Sequence, residues 1–334
     1  MNIYDIAKMS GVSIATVSRV VNGSPKVSEK TKARVLAIID EYGYTPNAFA
    51  QGLGLNTMHT IGIMVPSISD MYMANAVFYL EQSLHERGYE CILSCSGYQA
   101  SQKESHLQML LSKKTDALIL VGSTYAGSDD KSHNTDYIKR TSEEVPVFLI
   151  NGLMKSDNIY CTATHDRQAI FEATKGLIES GRKRILFMTD SKSYSAKQKK
   201  KGYHDALSSM GLTPDINMEV FIPNDVEIVR NKMSEFDVLN FDAIVASDDA
   251  MAIGALKYML HSGKKVPDDV SIIGYNNSSL CICTTPELTS IDNHVETVCK
   301  NTVDRLLEVL QGDKTVSHRQ IFDCDLVKRG TTDF

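Results

Sequence analysis

Three short bursts of apolar residues at helical spacing fill the first 46 positions, and a glycine separates the first burst from the second. The first covers roughly Ile3–Met9, with Ile6 and Ala7 facing inward, and stops near Ser10-Gly11. Gly11 can adopt the left-handed backbone that a tight turn between two helices needs. Ser13 then reads as the N-cap of a second helix, whose Val17, Val20 and Val21 recur at i, i+3 and i+4. Asn22-Gly23 is a strong stop signal. A third helix begins at Ser28 and turns Val35, Ile38, Ile39 and Tyr42 inward before Gly43 ends it. Three short helices, with a four-residue turn between the first two, describe an all-α helix-turn-helix module.

The outward face of the second helix carries Ile14, Ala15, Thr16, Ser18, Arg19 and Asn22. Side chains near its start can point at base edges in a major groove, while hydroxyls and backbone N–H groups hold phosphates. Arg19 has the fork that fits guanine O6/N7, and Ile14 and Ala15 suit thymine methyls. From spacing alone the module fits two roles, a DNA reader or a small protein-binding bundle with Arg19 as a solvated charge. Charge distribution leans toward DNA. The chain as a whole carries −6, yet residues 1–58 hold six Lys/Arg against four Asp/Glu, and the rest hold 29 against 37. A basic end on an acidic body confines phosphate attraction to one end.

Ile3-Tyr4-Asp5-Ile6-Ala7, then the run Gly11-Val12-Ser13-Ile14-Ala15-Thr16-Val17-Ser18-Arg19-Val20-Val21-Asn22-Gly23, closely resemble the headpiece of the lactose-repressor (LacI/GalR) family. Val27-Ser28-Glu29-Lys30-Thr31 and Gly43-Tyr44-Thr45-Pro46-Asn47-Ala48 extend the likeness without a gap. The resemblance implies binding to double-stranded operator DNA, with Tyr4, Ser13, Ile14, Ala15, Thr16, Ser18, Arg19 and Asn22 at the interface.

Between this module and the first strand of the body lies Pro46-Asn47-Ala48-Phe49-Ala50-Gln51-Gly52-Leu53. Pro46 can open a helix at its first turn. Gly52 and Gly54 each cost about 1 kcal/mol of helix propensity, so a helix this short is marginal on its own. The family resemblance implies a hinge helix that pairs across a dimer, with Asn47, Gln51 and Leu53 at DNA and Leu53 wedged into the minor groove. The other reading is a linker whose Leu53 packs on the body. Gln51 stands where many members carry Arg.

From Thr60 the pattern changes to apolar strand, loop and amphipathic helix, repeated. Ile61–Val65, Glu90–Cys95, Ala117–Val121 and Val147–Ile150 form one series, and Arg184–Met188, Ala243–Ala246 and Val270–Gly274 a second, with a break near residues 160–165. Near-continuous apolar strands alternating with helices read as buried parallel sheets in α/β layers. Two series suggest two similar subdomains, with ligand at the carboxyl ends of the strands between them. Gly202-Tyr203, Asp249-Ala250-Met251-Ala252-Ile253-Gly254, Val266-Pro267-Asp268-Asp269, Ile273-Gly274-Tyr275 and Thr285-Pro286-Glu287-Leu288-Thr289 resemble the periplasmic-binding-protein-like sensor domain of the same family. The implied layout is a headpiece over 1–46, a hinge over 47–58 and a sensor over 59–334. Its first half is about 60–161 and 292–320, its second about 162–291 and 321–334.

Effectors in the family are mostly sugars or other small polar metabolites. Carried over by position, Lys199 replaces the usual Arg ahead of the Gly-aromatic pair and loses its planar fork. Asn276 replaces the aspartate after Gly-Tyr and can donate as well as accept. Asp248 stands where Asn or Ser is common, and Tyr72 and Tyr98 offer ring faces and hydroxyls. Lys199 has a second reading, as part of a solvated basic run with Lys197, Lys200 and Lys201. It also resembles the catabolite-control members, which respond to a protein corepressor.

Seven cysteines, odd in number and never spaced C-x-x-C, fit reduced thiols and a cytoplasmic protein. No secretion signal or apolar run of membrane length is evident. The chain lacks a phosphate-binding G-x-x-x-x-G-K-[ST] loop, a G-x-S-x-G elbow and an H-x-x-x-H pair, so the sequence supports neither an enzyme nor a metal or cofactor site. A secreted solute-binding protein shares the body's expected fold but not its headpiece. The expectation is a homodimeric repressor on a palindromic operator, controlled by a small-molecule effector such as a sugar or sugar derivative.

Overall fold

The computed structural model describes residues 2–44, 57–126 and 135–334. The sequence-predicted hinge residues Asn47, Gln51 and Leu53 lie outside them. Three helices form the N-terminal unit: α1 (Ile3–Ser10), α2 (Ile14–Val21) and α3 (Glu29–Glu41). Each start is fixed by its own side chain. Asn2 Oδ1 accepts from the Tyr4 and Asp5 amides at 2.9 and 3.1 Å, and the Asp5 carboxylate accepts from the Asn2 amide in return. Ser13 and Ser28 cap α2 and α3 by accepting from the Thr16 and Thr31 amides. Such caps contribute about 1 kcal/mol each. Gly11, at φ 63°, turns the chain between α1 and α2, and that turn is three residues rather than the expected four.

Ile6, Ala7, Val17, Val20 and Val35 form the core of this unit, with Ile38, Ile39 and Tyr44 packed at its edge. Tyr42 departs from expectation, for it is 47% exposed. It sits one residue past the end of α3 as the C-cap, where the helical register no longer aims a side chain inward. Tyr44 takes the inner position instead.

Two six-stranded sheets make the body. The first holds β1 (Thr60–Val65), β2 (Glu90–Cys95), β3 (Ala117–Val121), β4 (Val147–Ile150), β5 (Ile159–Thr164) and β11 (Arg319–Phe322), in the order β11-β5-β4-β3-β1-β2. The second holds β6 (Ile185–Thr189), β7 (Glu219–Phe221), β8 (Ala243–Ala246), β9 (Ser271–Tyr275), β10 (Thr289–Asp292) and β12 (Asp325–Val327), in the order β12-β10-β9-β8-β6-β7. All pairs are parallel except β10 with β12. Helices α4 (Met71–His85), α5 (Ala100–Ser112), α6 (Asp136–Ser142) and α11 (Val295–Leu310) pack with the first sheet. Helices α7 (Asp166–Glu179), α8 (Tyr194–Ser209), α9 (Val226–Lys232) and α10 (Asp249–His261) belong with the second.

The expected break near residues 160–165 is β5, a strand buried along its whole length. Its Thr162 and Thr164 interrupt the apolar run that marks β3 and β4 of this sheet. Both find partners inside the fold, Thr162 in Thr302 and Arg305 of α11 and Thr164 in Asp166. The chain passes between lobes three times, after β5, after β10 and after β11. Two changeovers fall a few residues later than 161 and 320, since β5 runs to Thr164 and β11 to Phe322.

Close approach of α7 and α8 depends on Gly202, where a Cβ would meet the Arg167 carbonyl at 2.1 Å. That contact brings the start of α8, with Lys199 one turn earlier, under the carboxyl end of the second sheet.

Candidate functional site

On the N-terminal unit, α2 presents one polar face. Ile14, Ala15 and Arg19 are exposed on it, and Thr16, Ser18 and Asn22 are half-buried. Tyr4 of α1 is 66% exposed. Ser13 and Thr16 stand at the head of α2, their hydroxyls 2.9 Å apart. The first turn of α2 has no acidic residue, so nothing opposes an anion approaching its positive end. The Asn22 Oδ1 is buried without a hydrogen-bond partner. All eight sequence-predicted headpiece residues thus lie on α2, its cap or the start of α1.

A cleft of about 520 Å³ lies between the lobes of the body. It follows from the topology, because loops leaving the carboxyl ends of parallel strands converge there. Ser67, Ser69 and Asp70 follow β1, and Tyr98 and Thr124 follow β2 and β3. From the other lobe come Asp190 and Ser191 after β6, Asn224 after β7, Asp248 after β8 and Asn276 after β9. A smaller recess of about 100 Å³ shares many of these residues and reaches Lys199. All five sequence-predicted residues, Tyr72, Tyr98, Lys199, Asp248 and Asn276, therefore line one continuous space.

Two of them touch. The Asn276 Nδ2 donates to Asp248 Oδ2 at 2.7 Å, and Asn276 Oδ1 accepts from Asn293 Nδ2 at 2.8 Å. The turn that aims this amide has Asn276 at φ 95° and Asn277 at φ 46°, left-handed backbone that asparagine tolerates better than most side chains. Asp248 Oδ1 also caps α10, accepting from the Ala250 amide at 2.9 Å.

Lys199 lines the smaller recess and departs from the reading that put it in a solvated basic run. It is 7% exposed, so it is not part of a solvated run. Its ammonium donates to the Ser247 carbonyl at 2.9 Å and lies over the Tyr275 ring, so it is engaged within its own lobe. Lys200 instead pairs outward with Glu219.

Carboxylates from both lobes, Asp70, Asp190 and Asp248, put acceptors on the lining. Burial pushes the Asp248 carboxyl up to about 7, with the nearby Asp70 charge adding to the effect and Lys199 opposing it. Asp190 is raised for the same reasons, burial first and Asp70 second among the raising causes, against the pull of Lys199. Thr124 Oγ1, Asn151 Oδ1 and Asn224 Oδ1 are buried without a partner. An acceptor-rich cleft suits a ligand that brings many O–H or N–H donors. Tyr98 and Phe221, each 63% exposed, flank it with ring faces. Among the described residues no group of acidic, histidine and cysteine side chains is arranged to hold a metal ion, and no helix is long and apolar enough to cross a membrane.

Sequence reading missed Asp70, Asp190, Ser191 and Asn224. Each is the polar residue shortly after a strand or at a helix N-cap, a signal that becomes specific only once the strand ends are known to converge. Away from the crossover segments, Ser123 Oγ of the first lobe donates to Ser193 Oγ of the second at 2.8 Å.

Comparison with known proteins covers both units. Residues 2–47 match the family described as bacterial regulatory proteins, lacI family, and residues 174–332 match a periplasmic binding protein-like domain. An HTH-type transcriptional regulator of Lachnoclostridium phytofermentans is 49% identical over 336 residues, covering 100% of both chains. Catabolite control protein A of Priestia megaterium is 33% identical over 298 residues, 87% of each chain. Among solved structures, the lac repressor dimer bound to operator and the anti-inducer ONPF superposes with a TM-score of 0.88 at 25% identity, covering 99% of this chain and 98% of that one.

Proposed function

The chain belongs to the lacI family of bacterial regulatory proteins, and from that premise we propose that it is a repressor that binds a palindromic operator as a homodimer and answers to a polyhydroxylated small molecule in the inter-lobe cleft. The observation that carries the reading is the pairing of two features in one chain. One is the exposed α2 face with Arg19, and the other is an acceptor-rich cleft at the strand ends of a two-lobed body.

In this reading α2 enters the major groove. Arg19 forks onto a guanine, Ile14 and Ala15 meet thymine methyls, and Ser13, Thr16, Ser18, Asn22 and Tyr4 hold backbone phosphates or neighbouring base edges. One unit of this size offers little charge and area, which is why two half-sites and a dimer are needed. Asn47, Gln51 and Leu53 supply the minor-groove contacts at the operator centre.

The effector lies between Tyr72 and Tyr98 on the first lobe and Asp248 and Asn276 on the second. Asp190 and Asn224 accept from its hydroxyls, and Lys199 keeps the floor of the second lobe in place. Because the ligand touches both lobes, its affinity depends on their separation. Any change in that separation at the operator-bound state links the two affinities reciprocally. The protein acts by binding, with no chemical step.

The test is a thermal-shift screen of sugars and sugar derivatives on the full chain, followed by operator titrations with each hit. The reading predicts at least one compound that raises the unfolding midpoint and changes operator affinity by about 5–150-fold. Hits that stabilise the protein but leave operator affinity unchanged would remove the effector part of the reading.

A further inference from the structure

Asp116 immediately precedes β3, and its side chain is spent on one short segment. Oδ2 accepts from Thr57 Oγ1 at 2.9 Å and from the Thr60 amide at 3.1 Å, and Oδ1 accepts from the Met58 amide at 2.9 Å. The sheet itself does not require this carboxylate. Register between β1 and β3 already includes the Asp116 amide donating to the Thr60 carbonyl at 2.8 Å. What the carboxylate adds is a hold on residues 57–60, the stretch by which the chain arriving from the N-terminal unit joins the body. Hydrogen bonds to an ionised acceptor are roughly twice as strong as neutral ones, and three of them converge here.

That stretch is fastened on other sides as well. His59 adopts a left-handed backbone at φ 47°, its ring lies 5.0 Å from that of Tyr89, and its carbonyl accepts from the Glu90 amide at 2.8 Å. Thr60 Oγ1 donates to the Met58 carbonyl at 3.0 Å. A turn so bound has one direction, and the carboxylate of Asp116 is its central acceptor.

The strand that starts beside this clamp ends at the cleft. Every residue of β3, Ala117 through Val121, is fully buried between β1 and β4. Just past its far end, Ser123 reaches the second lobe at Ser193, and the Thr124 carbonyl accepts from the buried Lys103 Nζ at 2.9 Å. A five-residue strand spans roughly 17 Å. One close-packed strand therefore has the hold on the arriving chain at one end and the inter-lobe contact at the other, and packed strands move as units rather than deform.

We propose that Asp116 is a positioning residue for operator binding: through its three hydrogen bonds it fixes the direction in which the chain from the DNA reader joins the body, and through β3 it ties that direction to the state of the cleft. The inference rests on the operator-binding reading above.

The experiment uses the full chain and a duplex enriched by the parent protein from a random library, with a scrambled duplex as control. Fluorescence anisotropy compares the parent with Asp116→Ala and Asp116→Asn. Asp116→Ala is expected to lose about ten-fold or more in operator affinity, while affinity for the scrambled duplex stays within about two-fold, since phosphate contacts are untouched. Asp116→Asn, which keeps one acceptor oxygen, falls between. Hydrogen exchange at the Met58 and Thr60 amides accelerates in Asp116→Ala by about ten-fold or more, reporting release of the segment itself.

Operator affinity within about two-fold of the parent, or equal losses on both duplexes, would overturn the inference. Where Asp116→Ala does not fold, Thr57→Val removes one of the three bonds; an operator-specific loss of about three-fold supports the clamp, and parent-like binding rejects it. A parent protein that enriches no duplex takes down the operator reading and this inference together. A parent that enriches one, with variants that match it, takes down the inference alone.

Discussion

The Lys199 ammonium lies 3.4 Å from the centroid of the Tyr275 ring, and the Tyr275 hydroxyl in turn donates to Asp166 at 2.5 Å. Asp166 also accepts from Thr164, the last residue of β5 in the other lobe. Lys199, Tyr275 and Asp166 thus form a buried chain beneath the cleft that ends where the backbone first changes lobes. This makes Lys199 a supporting residue of the cleft floor. Replacing it by methionine removes the cation–π contact and the Ser247 hydrogen bond, and should lower stability without ligand by about 1–3 kcal/mol. Urea unfolding of the ligand-free protein measures it. Unchanged stability with weakened effector binding would mean instead that Lys199 clamps the ligand.

Asp248 gives the cleft a pH response. Burial and Asp70 raise its carboxyl to about 7 from the ordinary value of 3.8. The folded protein therefore binds more protons than the unfolded chain between these values, and stability should fall as pH rises from about 4 to about 7. Above that window this group adds no further slope. Asp248→Asn should flatten the slope at a cost of about 1 kcal/mol at low pH, because one acceptor facing Asn276 is lost. Unfolding midpoints at pH 5 and pH 8 decide it, and an equal slope in the two proteins would assign the effect elsewhere.

Gly202 is a packing requirement between α7 and α8. An alanine there would place its Cβ 2.1 Å from a backbone carbonyl, which no side-chain rotation can relieve. Gly202→Ala should destabilise the body by about 1–3 kcal/mol or more by forcing the helices apart, and should weaken effector binding as Lys199 shifts with α8. A midpoint equal to the parent's would show that the helices separate freely.

Tyr98 makes the opposite case. At 63% exposed, it contributes little to the fold, yet its ring borders the cleft. Tyr98→Ala should leave the unfolding midpoint nearly unchanged and weaken the effector found by screening by about ten-fold, as expected for loss of an aromatic face. Calorimetric titration with that compound checks it, and parent-like affinity would exclude Tyr98 from the ligand's surroundings.

Much of the architecture was legible because local signals agreed. Ser13, Gly11 and the Val17-Val20 pair mark α2 by cap, turn and period at once, and β2, β3, β4 and β8 read as uniform strands bounded by turns. β5 escapes a hydropathy reading because its buried Thr162 finds its partners, Thr302 and Arg305, on α11, more than a hundred residues later in the chain. Hydropathy has no access to such a partner. β7, β11 and β12 are only three or four residues long. Tyr42 was placed inside because the helical period was extended one residue too far. In the cleft, Asp248 and Asn276 could be named from position in a motif, but not their mutual hydrogen bond, nor the turning of Lys199 onto Tyr275. Asp70 and Asp190 become visible as a pair only when two sheets bring their strand ends together.

The proposed function depends first on α2 as the element that reads DNA sequence for a dimeric repressor. Selection of bound duplexes from a random library, run in parallel with the full-length protein and Arg19→Ala, tests it most directly. The parent is expected to enrich a two-fold symmetric site, and Arg19→Ala to bind that site weaker by about 1–3 kcal/mol with relaxed preference at one symmetric position in each half. Enrichment of no sequence by the parent, or an identical site and affinity for Arg19→Ala, would contradict it.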